Sequence, residues 1–422
     1  MQFGMAVKSL RNRKFTAGLT VLSIALSVTL LLGVERIRQE SRASFASTVS
    51  GTDLIVGARS SPVHLLLFSV FRIGNATNNI AWASYRAISE RPEVAWSIPV
   101  SLGDSHRGFR VMGTTQDYFE HFRYGRGRKL EFAQGKAFVE THDAVLGAQA
   151  AAALGYVAGQ SITIAHGAGD VSFSLHEDQP FRVVGVLART GTPVDRTVHV
   201  SLQGIDALHE ESNAEAAQDP LAAAVHAHER EAGAVPSSGK VITAFLLGLK
   251  TRAAALSVQR LVNEYPNEPL TAILPGATLQ EVWEIVGVAE QALAAVSALV
   301  VVVGLAGMLV ALLTGLSERR REMAVLRSVG ARPRHVFGLL LGEAAFLTLS
   351  GIVLGVVVLY LGLLAAGPWL ESRFGLFIGI GWPSAHELNL MILVGAAGIA
   401  IGLIPAYRIY RYSLADGMTI RI

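Results

Sequence analysis

The stretch Ser317-Glu-Arg-Arg-Arg-Glu-Met-Ala-Val-Leu-Arg-Ser-Val-Gly-Ala-Arg-Pro333 is a compact charged element lying between two long apolar segments. Glu318, Arg319, Arg320, Arg321 and Glu322 lead into Met323, Leu326 and Val329. Spacing by threes predicts a short helix with one apolar face and the arginines on the other. Gly330 and Pro333 then stop it. The stretch reads as a cytoplasmic lever between membrane helices. On charge alone it reads equally as a solvated basic loop obeying the positive-inside rule.

Composition agrees with a membrane setting. The 422 residues are 51% hydrophobic and 16% charged, and the mean hydropathy of +0.41 is too high for an ordinary soluble protein. The net charge of +3 does not point to nucleic acid, because the basic residues flank apolar segments instead of forming a patch interleaved with aromatics. With no cysteine, the chain can hold neither a disulfide framework nor a thiolate metal site.

Working outward, four apolar runs bracket the charged stretch. Lys8, Arg11, Arg13 and Lys14 close a cytoplasmic N-terminus (1–14) and precede the uncharged run 15–34, whose 20 residues span the ~30 Å hydrocarbon core. That run exceeds the ~7–15 residue core of a cleaved signal and reads as an anchor. The second run, 288–316, returns the chain to the cytoplasmic segment 317–335. The third, 336–364, carries Glu343 near its cytoplasmic end, where a carboxylate needs a partner or a polar environment. Snorkelling or pairing with a nearby arginine is the simpler reading, proton transfer the other. Residues 365–387 form an external loop whose Trp369, Phe374, Phe377 and Trp382 read as an interfacial aromatic belt. The last run, 388–406, leads to a cytoplasmic tail, 407–422, with Arg408 and Arg411. Gly338/Gly342, Gly351/Gly355 and Gly398/Gly402 have the spacing that lets helices approach closely, though glycine is common in membrane helices.

Between the first two runs, residues 35–285 have a soluble composition. Strand-like segments recur at Asp53–Gly57, Val94–Val100, Gln160–Ile164, Phe181–Leu187, Thr197–Val200 and Ile242–Leu249, interleaved with helical stretches such as Ala81–Arg91 and Thr251–Glu264. The expected class is therefore α+β: a four-helix transmembrane domain with a large mixed α/β extracytoplasmic domain inserted between its first and second helices.

The order Arg320, Arg321, Glu322, Met323, Ala324, Val325, Leu326, Arg327, Ser328, Val329, Gly330, Ala331 resembles the signature string of the FtsX/MacB family of ABC-transporter permeases. Looser matches are Ala144–Gly147 through Leu154-Gly155, Gly159–Ile164, Phe181–Leu187 and the loop Thr190-Gly-Thr-Pro-Val-Asp195, together with Leu403-Ile-Pro-Ala406 and the position of Glu343. Residues 205–240 have no counterpart. The resemblance implies that the charged stretch docks on a partner ABC ATPase, which holds the ATP and Mg; no cofactor is expected in this chain. It further implies a second permease copy, identical or paralogous, a bacterial inner-membrane location with both termini cytoplasmic, and a periplasmic or outer-membrane partner. Force would pass to the outer domain and move a lipoprotein, peptide, antibiotic or similar envelope molecule.

The unplaced segment contains His226, His228 and Glu229, residue types that ligate zinc. Histidines two apart do not share a helical face, so a solvated loop is the simpler reading. No Gly-x-x-x-x-Gly-Lys-(Ser/Thr), Gly-x-Ser-x-Gly or His-Glu-x-x-His motif occurs, and no catalytic constellation is expected. Two rivals stay open: an FtsX-like signalling subunit that activates a periplasmic or cell-wall partner without transport, and metal-linked (zinc) envelope traffic. The size of the outer domain favours transport over signalling.

Overall fold

The computed structural model describes residues 14–48, 50–125, 127–166, 180–208, 240–328, 333–374, 379 and 381–411; His226, His228, Glu229 and Gly330 lie outside them. Two units divide the chain, one of residues 1–40, 287–369 and 378–422, the other of residues 41–286 and 370–377. The main helices are α1 (Lys14–Thr48), α2 (Pro62–Ser69), α3 (Trp82–Ser89), α4 (Asp117–His121), α5 (Ala148–Leu154), α6 (Ala255–Asn263), α7 (Pro275–Ser328), α8 (Pro333–Phe374) and α9 (Ala385–Arg411). The main strands are β1 (Leu54–Ala58), β2 (Val94–His106), β3 (Phe109–Thr114), β4 (Phe132–Gly135), β5 (Asp143–Leu146), β6 (Phe181–Leu187), β7 (Thr197–Ser201), β8 (Ala244–Leu249) and β9 (Leu270–Ile273).

These strands form one mixed sheet in the order β9-β1-β8-β2-β3-β7-β5-β6-β4. β7 runs parallel to β3 and β6 parallel to β5; the remaining neighbours are antiparallel. Alternation along β1 and β8 builds two cores at once. In the register Leu54↔Leu247, Ile55↔Leu246, Val56↔Phe245, Ile55 and Leu246 join α2 and α4 through Leu65, Leu66, Tyr118 and Phe119. Leu54, Val56, Phe245 and Leu247 join α3 and α6 through Tyr85, Ile88, Val258 and Val262. Both faces of β1 are covered, which is why Leu54-Ile-Val-Gly-Ala58 is an unbroken buried run. Gly57 carries no side chain because Leu65 occupies the place a Cβ would take.

The segment Gln160–Ile164 is not one strand. Ser161–Ile162 alone is strand and pairs with β6, and the next short strand, Ala165–His166, lies beyond the run and pairs with β2.

Four helices are long and apolar enough to cross a membrane by length and composition: Lys14–Ala43, Pro275–Gly315, Phe337–Trp369 and Ala385–Arg408. Their shared core is Ile24, Val28 and Leu32 of α1, Leu305, Met308 and Leu312 of α7, Ala344, Leu347 and Leu359 of α8, and Val394 of α9.

The helices outrun the apolar spans. Ser317–Ser328 is the end of α7 and not a separate short helix, because Glu, Arg, Met, Ala and Leu all sustain a helix and no breaker comes before Gly330. Likewise α8 continues through Pro368 to Phe374, so the first part of 365–387 is helical.

Candidate functional site

The residues of the charged stretch up to Arg327 share one uninterrupted helix of 54 residues, Pro275–Ser328. Glu318, Arg319, Arg320, Arg321, Glu322, Met323, Leu326 and Arg327 therefore sit at the end of the same rod that begins two residues after β9. Their side chains, and Gly330 altogether, lie outside the described residues.

Inside the bundle, glycines set how closely the helices meet. A Cβ on Gly351 of α8 would lie 2.6 Å from Ile24 of α1, and one on Gly355 would lie 2.8 Å from the Ala25 carbonyl and 2.9 Å from Val28. Gly398 and Gly402 of α9 press equally hard on Thr348 and Ala344 of α8. Backbones brought this close gain dispersion contacts and let hydroxyls reach across, as when Thr29 Oγ1 donates to the Gly355 carbonyl at 2.9 Å. Gly342, by contrast, faces open space. Glu343 is 6% exposed and is engaged by a neighbouring group, not free.

A polar hub escaped the sequence reading. Arg36 of α1 is 6% exposed and Glu387 of α9 3% exposed, and their charged groups lie 3.7 Å apart. The Arg36 guanidinium also donates to Tyr360 Oη of α8 at 3.0 Å, to the Gly379 carbonyl at 3.1 Å and to the Gly381 carbonyl at 2.9 Å. Tyr360 Oη donates to the same Gly381 carbonyl at 2.6 Å. Glu387 accepts from the Ser384 N–H at 2.6 Å, and its own N–H donates to Ser384 Oγ at 3.2 Å. That reciprocal pair is a capping box at the start of α9. Beside it, Glu35 accepts from Arg38 at 2.8 Å and Gln39 at 2.6 Å, with His386 Nε2 at 3.7 Å. Burying an arginine is tolerable when the fork is this fully satisfied.

The outer domain buries charge differently. Arg72, held at φ 61°, donates to the Ser69 carbonyl and reaches Met112 Sδ at 2.6 Å. Beside it, burial pushes the Tyr118 hydroxyl up to about 12. Burial, and then the charge of Arg72, pushes His199 down to about 3. His199 Nδ1 donates to the Val145 carbonyl at 3.2 Å, while its Nε2, Tyr118 Oη and Arg72 Nε have no hydrogen-bond partner. Asp195, at the end of the loop Thr190–Asp195, organises that loop by accepting from Thr190 N, Thr190 Oγ1 and Gly191 N at 2.9, 2.8 and 2.8 Å.

A cavity of 420 Å³ lies beside β4 and α5, lined by Gln134, Ala151, Tyr156, Leu187 and Arg189 among others. Asp117, Glu120 and His121 of α4 bring ligand atoms within 4.8 Å of one another, with both carboxylates exposed.

Comparison with known proteins bears on both units. The family model for the MacB-like periplasmic core domain matches residues 17–230, and that for the FtsX-like permease C-terminal region matches residues 294–414. The pyoverdine export ATP-binding/permease protein PvdT of Pseudomonas syringae pv. tomato is 24% identical over 423 residues, covering 96% of this chain and 57% of that protein. The macrolide export ATP-binding/permease protein MacB of Nitrobacter winogradskyi is 31% identical over 121 residues, 28% of this chain and 18% of that one. The chain thus spans little more than half the length of the first relative. Among solved structures, the periplasmic region of MacB from Actinobacillus actinomycetemcomitans aligns with a TM-score of 0.34 at 12% identity, over 56% of this chain and 97% of that one. The extracellular domain of the ABC-type transporter YknZ from Gram-positive bacteria aligns at 0.29 and 10% identity, over 53% and 99%.

Proposed function

The chain belongs to the FtsX/MacB-type permease family, and from that premise we propose that it is the permease of an ABC transporter driven by a partner ATPase. In this reading the end of α7 docks on the ATPase, and nucleotide-driven closure moves α7 and reshapes the outer domain so that an envelope substrate is passed outward. The export named for the relatives supports that direction. The permease sits in the bacterial inner membrane with both termini cytoplasmic and works as a pair of permeases. The observation that carries the proposal is the continuity of α7 from Pro275, two residues after β9, to Ser328 in the charged string.

The test uses Leu326→Asp and the double reversal Arg320→Glu with Arg321→Glu. Leu326→Asp removes roughly 1.5–3 kcal/mol of apolar anchoring and adds a desolvation cost, so affinity for the ATPase should fall on the order of 10–100-fold. The reversals replace attraction with repulsion if the ATPase presents acidic residues. Both variants should reach the membrane at normal levels, fail to co-purify with the ATPase and fail to stimulate its hydrolysis. Normal binding and stimulation by both would reduce the string to a charged topology marker.

A further inference from the structure

The four membrane helices are not equally bound to one another. α1 and α8 meet at Gly351, against the Ile24 side chain, and at Gly355, against the Ala25 carbonyl and Val28, and α8 and α9 meet at Gly398 and Gly402. Arg36 then joins all three helices at one end, binding Tyr360 of α8, the carbonyls of Gly379 and Gly381, and Glu387 of α9. Opening the hub would strand the buried guanidinium and the Gly379 carbonyl and leave Glu387 without its counter-charge, although Glu387 keeps the Ser384 N–H and the Gly381 carbonyl keeps the Tyr360 hydroxyl.

α7 is tied more loosely. Within the bundle, cross-helix hydrogen bonds to α7 include those from Ser27 Oγ of α1 to the Val300 carbonyl at 3.1 Å and from Thr348 Oγ1 of α8 to Met308 Sδ at 3.5 Å, and nearer the outer domain Phe45 of α1 packs edge-on against Trp283 of α7. Each of those hydroxyls has a single hydrogen and an alternative acceptor in its own helix, the Ser23 carbonyl for Ser27 and the Ala344 carbonyl for Thr348, both at 2.8 Å. They can release α7 without becoming unsatisfied. A Cβ on Gly304 of α7 would lie 2.7 Å from Ser27 Oγ, which can rotate, and 3.5 Å from the Ser23 carbonyl, while Gly307 faces open space. Arg38, already bonded to Glu35, also feels the charge of Glu290 on α7, a half-buried pair of modest worth.

We propose that α1, α8 and α9 form a rigid clamp fastened by Arg36, and that α7 is the one membrane helix that shifts against it when force is applied. This rests on the permease reading, and it names the moving part. The two helices adjoining the outer domain in sequence, α1 and α7, would then differ in kind: one fixed, one driven.

The absence of cysteine allows clean labelling of the full chain. Nitroxides on Leu30→Cys with Leu361→Cys report α1 against α8, and Leu30→Cys with Val302→Cys report α1 against α7; all three positions are exposed. Distances are measured by pulsed electron paramagnetic resonance in lipid nanodiscs, with the partner ATPase, without nucleotide and with ATP plus vanadate. The α1–α8 distribution should stay fixed while the α1–α7 distribution shifts. A shift in α1–α8 as large as that in α1–α7, or an immobile α1–α7 distance during ATP turnover, overturns the proposal. A second measurement needs no ATPase: Arg36→Gln in the chain alone should broaden the α1–α8 distribution, and an unchanged one overturns the clamp. If that broadening occurs but no ATPase engages the chain, the clamp stands and the transporter reading falls.

Discussion

Two buried arginines show how the two units differ. Arg72 of the outer domain has no carboxylate paired with it among the described residues, and it sits beside Tyr118 and His199 with their own unpartnered atoms. Arg36 of the bundle has its fork filled by a carboxylate, a phenol and two carbonyls. The outer domain can carry a polar misfit because its sheet is fastened by backbone ladders between strands and by an aromatic core containing Tyr118, Phe119, Phe122 and Phe138. The bundle has no such ladder between helices, and lipid supplies no hydrophobic force between apolar surfaces. Its polar contacts are few, and among the described residues Arg38 Nε is the one buried side-chain nitrogen or oxygen of this unit left without a hydrogen-bond partner, against six such atoms in the outer domain.

If that contrast is right, the largest effect in the bundle comes from close approach. Gly355→Ala should destabilise the full chain by about 1–3 kcal/mol, since a carbonyl and Val28 stand where the methyl would go. Gly362→Ala, on the same helix in open space, should be neutral or stabilising by up to ~1 kcal/mol. Thermal unfolding of both variants in nanodiscs checks this; equal effects would break the distinction.

The outer domain should reveal its misfit through pH. His199 is neutral in the fold down to about 3, while an unfolded histidine takes up a proton near 6.5. Between those values the unfolded state binds the extra proton, so stability is full above about pH 6.5 and declines as pH falls toward about 3. At its steepest this amounts to ~1.4 kcal/mol per pH unit. Denaturant titrations of the full chain should show a flatter slope for His199→Gln, whatever its absolute stability. Identical slopes would remove His199 from the account.

The smallest effect sharpens the comparison from the bundle side. Thr29→Val deletes one cross-helix bond and should cost about 0.6 kcal/mol, the usual worth of such a bond in a membrane. A loss as large as that of Gly355→Ala would mean hydroxyls, not glycine contacts, hold the α1–α8 seam.

Much of this was legible in the chain. Apolar run length announced the four spans, and the order Arg320–Ala331 carried the family. The spacing Gly351/Gly355 and Gly398/Gly402 marked true seams, but Gly338/Gly342 had the same spacing and Gly342 meets nothing. Spacing states which residues share a face and not what the face meets. The Arg36 hub was illegible because its members, at 36, 360, 379, 381 and 387, are joined only by folding. Read locally, Arg36 was one more charge after an apolar run. The continuity of α7 was missed because a polar string looks like an interruption, although Glu318 through Ala324 are all good helix formers.

That continuity constrains how the sequence can drift over generations. A helix of 54 residues is about 80 Å of a single screw. One inserted residue turns everything beyond it by about 100° and lengthens it by about 1.5 Å, whereas seven return the phase to within about 20° at a cost of some 10 Å. Between Pro275 and Ser328, point substitutions on the lipid-facing side should therefore accumulate freely among descendants, while small insertions and deletions should be purged. Changes of length are expected instead in the stretches outside this rod.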